Sequence, residues 1–450
     1  MRSNDSIEAW VAQACRQPQR AAALIDTLSA RAQAENSSAH LHIAVLRTRA
    51  LRAVARLTEQ AHADPAANAR RWPLFGVPVA VKDNIEIAGL ATSCGSIALA
   101  RGPAAQDAAI IARLEDNGVI LLSKTTLDEA ALGASGRNEH FGRCENPRTP
   151  AMLSGGSSSG SAAAVAAGHA MLGIGTDTLG SIRIPAAFCG VVGFKPSPGL
   201  LPTRGLVPLY AAFDTPGILT GSLTDAALAI GALAIAAPRN DAAAAPAQTL
   251  RLSCLADAAL LQLESAVAAD YRRCRDLLQD SARVQLKPLP AFDFAPPARA
   301  ALWTVARSFA EQLLHDGARL APLLKQLGPE LAALLERALS LPPARLAQCG
   351  PALQAAIDFM RLGLLDADAV LTPTCPVQAV GVMEPVPRSI ADFVAVANIV
   401  GLPAVAWPQS LGGKRVSSLQ LIGHAGADLR LLALACRIET LLEDASSSTA

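Results

Sequence analysis

The sequence predicts a protein of the α/β class. Short apolar runs rich in β-branched residues, which are typical of buried strands, alternate with longer segments of helical periodicity along most of the chain. Hydrophobic residues make up 51% of the 450 residues and charged residues 17%, so the chain can fill a sizeable core. We therefore expect one large α/β domain.

The first part of the chain predicts a helical arm. Apolar residues such as Val54 and Leu57 recur at helical spacing through residues 1–63, and no strand pattern is present there. Asp64–Pro73 is polar and punctuated by prolines, which indicates a linker. We divide the chain into a helical N-terminal arm at residues 1–70, a main domain at residues 71–445 and a disordered tail at residues 446–450.

The main domain carries nine strand patterns with helical patterns between most of them. The predicted strands are Val77–Val81, Val119–Leu122, Leu172–Gly175, Val191–Phe194, Leu250–Leu255, Val284–Leu289, Val370–Pro373, Ala404–Trp407 and Leu419–Ile422. The predicted helices are 107–117, 159–170, 224–236, 262–279, 300–320, 328–340, 351–365 and 426–442. The Ala/Pro-rich segment 237–249 is a candidate surface crossover.

Charge and hydropathy exclude several classes of partner. Lys and Arg total 39 against 38 Asp and Glu, so a net charge of +1 argues against nucleic acid and anionic membrane. The longest apolar run, residues 226–237, is shorter than the ~20 residues that a membrane-spanning helix needs. The N-terminus has Asp5 and Glu8 but no apolar signal core, so we expect a cytoplasmic protein.

Cysteine and histidine spacing indicates no metal site. The nine cysteines include no CxxC pair and are an odd number, which favours reduced residues that fill the core. The seven histidines show no HExxH spacing. A Ser-His-Asp triad is also disfavoured, because it would need a serine of the Gly/Ser cluster described next to pair with His169, His315 or His424.

A Gly/Ser cluster at residues 154–161 runs directly into an alanine-rich helix pattern. Serines suit a helix N-cap, and glycines let the backbone approach another group closely. The glycine spacing resembles a phosphate-binding loop, but Ser161 stands where that loop needs a lysine. Ser158 between two glycines fits a nucleophile elbow, but no strand precedes it. Standing alone, the cluster would be interpreted as a solvated cap.

A second element is the loop that leaves the predicted strand Leu172–Gly175. A helix is predicted to begin near Ser181, which would give this loop free backbone N–H groups and the positive end of a helix dipole. Such a loop can stabilise an oxyanion. The alternative is a capped turn in which Asp177 and Arg183 form an ordinary ion pair.

The third element is Lys82, which follows the apolar strand Val77–Val81. Burial of an ammonium group is costly and lowers its pKa. A lysine whose pKa falls to roughly 7–8 can act as a general base at neutral pH. The alternative is a side chain that extends into solvent, as is usual for a lone lysine at a strand end.

Together, and in this order, these elements resemble the amidase signature family. The matching stretches are Gly76–Asn84, Gly155–Ser158, Asp177–Ala186 and Cys189–Pro196, and weaker matches continue to about residue 440. The resemblance implies a central mixed β-sheet enclosed by α-helices, with residues 71–445 as the catalytic domain. It implies no metal and no organic cofactor.

The resemblance also assigns roles to individual residues. Ser181 matches the nucleophile, Lys82 the base, and Ser157 the bridging serine that follows a cis peptide bond in the family. The matching oxyanion hole consists of the backbone N–H groups of Thr178, Leu179, Gly180 and Ser181. Proton withdrawal from Ser181 through Ser157 to Lys82 would give an acyl-enzyme.

Two positions depart from the family pattern, because Leu179 and Ser159 stand where members usually have glycine. If position 179 needs a positive φ, leucine strains the loop by roughly 1–2 kcal/mol. If φ is negative, the N–H is kept and the side chain lines or narrows the site. We favour the second case because the other matched residues of the loop are all present.

Apolar and aromatic residues of two predicted loops, residues 135–152 and 206–218, are the candidate walls of the carbonyl pocket. They are Phe141, Met152, Leu153, Tyr210 and Phe213. These residues favour an uncharged, partly apolar acyl or aryl group, although core packing is the alternative for each. The helical segment 300–363 is expected to cover the mouth of the pocket.

These observations predict an amidohydrolase that cleaves the C–N bond of a small linear amide, with aryl esters and carbamates also open. One alternative is the glutaminase-type subunit of a tRNA-dependent amidotransferase, which the family includes. Another is a catalytically idle binding subunit, motivated by Leu179. We expect a small-molecule substrate and leave open whether two copies form a homodimer.

Overall fold

The computed structural model describes residues 6–235, 249–315, 320–409 and 417–448. The predicted crossover at 237–249 falls almost entirely outside them. The strands are β1 His42–Val45, β2 Pro78–Lys82, β3 Ile120–Thr125, β4 Leu172–Asp177, β5 Val192–Lys195, β6 Thr215–Thr220, β7 Leu250–Cys254, β8 Val284–Pro288, β9 Ala369–Pro373, β10 Ala404–Gln409 and β11 Ser417–Gly423.

Helices surround these strands. They are α1 Ile7–Arg16, α2 Pro18–Ala39, α3 Arg47–Gln60, α4 Pro65–Arg71, α5 Ala109–Asp116, α6 Ser159–Ala166, α7 Arg183–Cys189, α8 Leu223–Leu233, α9 Ser265–Gln279, α10 Ala295–His315, α11 Leu320–Leu324, α12 Pro329–Leu339, α13 Pro343–Ala347, α14 Cys349–Leu364, α15 Asp392–Val400 and α16 Asp428–Ser448. Short 3₁₀ turns lie at Glu129–Ala131 and Asp257–Gln262.

The strands of the described residues form one mixed sheet in the order β1-β3-β2-β4-β6-β5-β10-β11-β9-β7-β8. The parallel pairs β3-β2-β4 and β9-β7-β8 flank a central antiparallel stretch. The predicted α/β class and the mixed sheet enclosed by helices are confirmed, and all nine predicted strands are present. Buried aliphatic side chains of the helices and strands form one large core cluster.

The N-terminal arm is part of the main fold rather than a purely helical appendage. Residues 42–45 form the edge strand β1, which pairs antiparallel with β3, although no strand is predicted there. The strand is only four residues long and lies between two helices, so alternation gives no usable signal. Trp10 Nε1 donates to the Gly76 carbonyl at 2.9 Å, and Ile7 N–H donates to Asp225 at 2.7 Å. The arm therefore shares the core of the main domain.

A second strand is missing from the sequence prediction. Residues 206–218 are predicted as a loop, but β6 begins at Thr215 and pairs with both β4 and β5. Pro216 and Gly217 disfavour a strand by pattern. Gly217 is required because a Cβ there would overlap the Phe194 carbonyl of β5.

The remaining differences concern helices and the C-terminus. The short helices α11, α13 and α15 were not predicted, and α16 continues to Ser448, into the segment predicted as a disordered tail. Residues 449–450 lie outside the described part. No helix in the described ranges combines the length and apolarity needed to cross a membrane. All nine cysteines are free, and seven are buried, as predicted.

We expect Trp10→Ala to lower the free energy of unfolding by about 3–5 kcal/mol, because the indole is buried and donates to Gly76. Chemical denaturation monitored by circular dichroism measures the change. Leu24→Ala, at an exposed position of the same arm, is the control and should have little effect. Equal stabilities of the two variants would show that α1 is not packed into the core.

Candidate active site

The sheet topology brings the candidate residues together at the carboxyl ends of two neighbouring strands. β2 and β4 are parallel neighbours, with Val81 paired to Ile174, so their carboxyl ends lie side by side. Lys82 is the last residue of β2 and Asp177 the last of β4. The segment after β4, residues 178–181, is called the oxyanion loop below. The carboxyl edge of parallel strands is where α/β sheets usually bind ligands.

Lys82 is completely buried and contacts two hydroxyl groups. Its Nζ lies 2.8 Å from Ser157 Oγ, 3.0 Å from Thr176 Oγ1 and 3.4 Å from the Thr176 carbonyl oxygen. A neutral amine has two N–H groups and one lone pair. The two N–H groups match the two Thr176 oxygens, which leaves the lone pair for the Ser157 hydroxyl. The alternative of a solvent-exposed lysine is therefore wrong.

Burial lowers the pKa of Lys82 to about 8, because the ammonium form loses its hydration. The carboxylates of Asp128, Asp177 and Asp214 oppose this change, in that order of strength. The resulting pKa of Lys82 lies near the range that a general base at neutral pH requires. Lys82 is thus poised between its charged and neutral forms at physiological pH.

The Gly/Ser cluster is packed into the core rather than solvated. Ser157, Ser158 and Ser159 are fully buried, and the Gly156–Ser157 peptide bond is cis, as the resemblance implies. A Cβ at Gly156 would overlap the Asp128 carboxylate, so the chain needs glycine there. Asp128 N–H also donates to the Ser157 carbonyl at 3.3 Å. These contacts fix the Ser157 backbone beside Lys82.

The oxyanion loop is organised by the Asp177 carboxylate. It accepts the Gly180 N–H at 2.7 Å and the Ile182 N–H at 3.1 Å. The predicted role of the Gly180 N–H in the oxyanion hole is therefore wrong, because Asp177 occupies that donor. In the described part of the chain, the N–H groups of Thr178, Leu179 and Ser181 have no acceptor. Three of the four predicted donors remain available.

Arg183 holds Asp177 in place and has no donor left for a substrate. Its five N–H groups are all used, since two bonds of 3.0 and 2.9 Å go to Asp177 and the others go to Val394, Gln420 and Asn398. Both members of the pair are completely buried. The pair is a structural frame for the loop, as the sequence alternative of a capped turn suggested. The helix α7 begins at Arg183, two residues later than predicted.

Ser181 lies at the open end of this arrangement. It is buried to 8% exposure, and its carbonyl accepts the Ser158 N–H at 3.0 Å, which places it beside the Gly/Ser cluster. Among the side-chain hydrogen bonds of the described residues, none involves the Ser181 hydroxyl or joins it to Ser157. The hydroxyl is therefore free to meet a substrate, whereas Lys82 and Ser157 are fully enclosed.

Leu179 keeps an ordinary backbone conformation. In the described ranges, positive φ at non-glycine residues is confined to His40, Cys94, Ala130 and Ala131, and the left-handed position of the oxyanion loop is Gly180, with φ +106°. The expectation that Leu179 has no positive φ is confirmed, so its side chain causes no strain of that kind.

The comparison with known sequences assigns the family. The profile of the family described as Amidase matches residues 23–432. The chain belongs to the amidase family. It is 32% identical over 435 residues to a glutamyl-tRNA(Gln) amidotransferase subunit of Moorella thermoacetica, covering 86% of this chain and 87% of that protein. A crystal structure of an amidase superposes with a TM-score of 0.81 at 28% identity, covering 94% and 97% of the two chains.

Shorter matches to this amidase-family chain reach a higher sequence identity. The corresponding glutamyl-tRNA(Gln) amidotransferase subunit of Salinibacter ruber is 49% identical over 162 residues. This match covers 36% of the present chain and spans only about a third, 32%, of that relative. The high identity is therefore confined to part of the fold.

The apolar residues predicted as pocket walls fall into different places in this chain. Tyr210 and Phe213, called the aromatic wall below, have ring centroids 5.0 Å apart in an edge-on arrangement. Together with Leu179 they pack against an apolar cluster of α10 and α12. The cluster residues from these helices are Val305, Phe309, Ala310, Leu331 and Leu335. The predicted cover from residues 300–363 thus lies over the oxyanion loop.

Leu153 was wrongly predicted as a wall residue. It is completely buried in a separate cluster with Ile184 and Phe188, so no substrate can contact it without rearrangement. Phe141 and Met152 are half-buried. The Phe141 N–H donates to Asn138, and Met152 donates its N–H to the Thr149 carbonyl and forms a β-bridge with Gly381. Their role as pocket residues stays a prediction.

Two polar residues near the site were not found by the sequence analysis. Thr176 contacts Lys82 and also accepts from Asn84 Nδ2 at 3.0 Å. Asp214 accepts a hydrogen bond from the Thr178 hydroxyl at 2.5 Å. The available signal was position: Thr176 is the penultimate residue of β4, and Asp214 immediately precedes β6.

We expect Arg183→Lys to lower the free energy of unfolding by about 2–4 kcal/mol, because a lysine cannot replace the five fixed donors and leaves buried acceptors unpaired. Denaturant unfolding measures the loss. Arg47→Lys alters an exposed pair with Asp26 and serves as the matched control, with no measurable effect. Similar losses in both variants would contradict the proposed frame.

Proposed function

We propose that this chain is an amidohydrolase that cleaves the C–N bond of a small linear amide through Ser181, Ser157 and Lys82. The observation that carries the proposal is the buried Lys82 amine, 2.8 Å from the Ser157 hydroxyl and with a pKa of about 8. Membership of the amidase family supports a hydrolase acting on C–N bonds other than peptide bonds.

The first step is acylation. The neutral amine of Lys82 takes the proton of Ser157, and Ser157 takes the proton of Ser181. The Ser181 oxygen then bonds to the substrate carbonyl carbon while the C=O electron pair moves to oxygen. The N–H groups of Thr178, Leu179 and Ser181 stabilise the resulting oxyanion.

The second step releases the amine. The Lys82 ammonium returns its proton through Ser157 to the substrate nitrogen, because an unprotonated amine is a poor leaving group. The C–N bond breaks and leaves an ester on Ser181. Water attacks this ester as its proton moves along the same route to Lys82. The C–O bond to Ser181 then breaks, and Ser181 regains a proton from the relay.

We propose an uncharged, partly apolar acyl or aryl group as the substrate class. The side chains grouped around the oxyanion loop are Leu179, Tyr210 and Phe213, with aliphatic residues of α10 and α12 behind them. Carbamates and aryl esters present a similar carbonyl and belong to the same proposal. We further propose a small-molecule substrate without nucleic acid and a cytoplasmic location, which the nine free cysteines support.

A second candidate is a glutaminase-type subunit of a tRNA-dependent amidotransferase. It is favoured by the relatives named as subunits of glutamyl-tRNA(Gln) amidotransferase. Glutamine carries two charged groups, which need charged partners, whereas the aromatic wall and its surroundings are apolar. Ammonia release from butyramide and from glutamine by the isolated chain separates the two functions. Faster release from glutamine would favour the amidotransferase function.

A fluorophosphonate probe should label the protein once, on Ser181, because the probe needs an activated serine and an oxyanion site. Intact-mass spectrometry and peptide mapping measure the adduct. Ser181→Ala should abolish labelling, and Ser253→Ala, a buried serine in β7, should leave it unchanged. Absence of labelling in the folded wild-type protein would support the idle binding subunit instead.

The pH profile of kcat/KM should follow Lys82. Because its folded pKa is about 8, the neutral base forms as pH rises, so kcat/KM should climb about tenfold per pH unit below the midpoint and level off above it. Lys82→Ala should reduce kcat about 10²- to 10⁴-fold. The control is Lys287→Ala, at an exposed lysine of β8. Activity retained within a few-fold in Lys82→Ala would exclude Lys82 as the base.

A further inference from the structure

The turn that carries the aromatic wall is closed by a single carboxylate, that of Asp214. One oxygen, Oδ2, accepts the Leu209 N–H at 2.8 Å and the Tyr210 N–H at 3.0 Å. Backbone bonds from Phe213 and Asp214 to the Tyr210 carbonyl, each 2.9 Å, complete the turn. The conformation of the wall therefore depends on this carboxylate.

The other oxygen of Asp214 binds the oxyanion loop. Oδ1 accepts the Thr178 hydroxyl at 2.5 Å. Asp177 and Thr215 are the last pair of the β4–β6 ladder, so Thr178 and Asp214 face each other one step beyond it. The carboxylate thus spans two segments that are otherwise separate in the chain, the turn 209–214 and the loop 178–181.

We propose that Asp214 is a positioning residue that couples the aromatic wall to the oxyanion loop, so that an acyl group seated against Tyr210 and Phe213 sets the orientation of the Thr178 N–H donor. This inference rests on the proposed function and adds a role that the triad does not require. Asp214 acts through Thr178, because its carboxylate binds Thr178, Leu209 and Tyr210 and not the proposed nucleophile Ser181. It links recognition of the acyl group to stabilisation of the transition state.

The charge of Asp214 gives the proposal a second, independent readout. Its partners Leu209 and Tyr210 are N–H donors, which favours the ionised carboxylate, although burial raises the pKa of Asp214. The carboxylates acting on Lys82 are those of Asp128, Asp177 and Asp214, whereas the nearby Cys94 thiol stays neutral because burial raises its pKa to about 12. Removal of the Asp214 charge should therefore lower the pKa of Lys82.

The first experiment removes the hydrogen bond from the Thr178 hydroxyl to Asp214 and leaves the turn 209–214 intact. Thr178→Val removes the hydroxyl donor at constant volume, and Thr178→Ser retains it. With p-nitrophenyl butyrate, we expect Thr178→Val to lower kcat about 10- to 100-fold with KM changed less than threefold, because only the transition-state interaction is lost. Thr178→Ser should restore kcat to within threefold. The ratio of kcat for p-nitrophenyl butyrate to kcat for p-nitrophenyl acetate should decrease in Thr178→Val but not in Thr178→Ser.

The second experiment removes the charge and keeps the size. Asp214→Asn should shift the midpoint of the kcat/KM profile to lower pH, whereas Thr178→Val should leave the midpoint in place. Asp225→Asn is the matched control, because Asp225 is a buried carboxylate that accepts the Ile7 N–H but is not among the charges acting on Lys82. Its midpoint should equal that of the wild type.

The outcomes separate the two proposals. A wild-type chain that neither reacts with fluorophosphonate nor hydrolyses either ester overturns the proposed function and this inference with it. An active wild type with Thr178→Val within twofold in kcat, or with the midpoint of Asp214→Asn unmoved, overturns the coupling by Asp214 alone. If Asp214→Asn does not fold, judged by thermal melting, the Val and Ser variants at Thr178 decide the question.

Discussion

The neutral amine of a lysine sealed from water is the constraint on which the rest of the site depends. Lys82 has 0% exposure, and an ammonium in that position loses its hydration, which the surrounding carboxylates offset only in part. The surroundings offer oxygen atoms of Thr176 and Ser157 instead of a directly bonded carboxylate. This arrangement lowers the pKa of Lys82 to about 8, so that both the neutral amine and the ammonium are populated near neutral pH.

Three carboxylates near the site limit the lowering of the Lys82 pKa. Each of them binds other groups instead of forming a direct ion pair with Lys82. Asp128 accepts backbone N–H groups of Ser135 and Gly136, and Asp177 is neutralised by Arg183. Asp214 closes a turn. Their charges act on Lys82 from a distance, so they moderate the effect of burial rather than cancel it.

Local sequence patterns were sufficient for much of the fold and for the position of the candidate base, Lys82. Lys82 at the end of an apolar strand and the Gly/Ser cluster before a helix are both local signals. The strands β1 and β6 were missed because their evidence is non-local. β1 is defined by its pairing with β3, and β6 needs Gly217 because the Phe194 carbonyl of β5 approaches closely. Thr176 and Asp214 were missed for the same reason, because their relevant contacts are with residues distant in sequence. Thr176 contacts Lys82, and Asp214 contacts Thr178.

The assignment of the Gly180 N–H failed for a different physical reason. The N–H groups of such a loop can donate either to a substrate or to side chains of the protein itself. The Gly180 N–H donates to Asp177, whose carboxylate is held in place by Arg183. Two distinct apolar clusters contact this region: Leu153 packs with Ile184 and Phe188 of α7, and Leu179 packs against the cluster of α10 and α12. The hydrogen bonds that join Asp177 to the loop and to Arg183 are buried, so this part of the loop resists change. We therefore propose that the choice of acyl group is made on the apolar side of the loop, where Leu179 replaces the usual glycine without a positive φ.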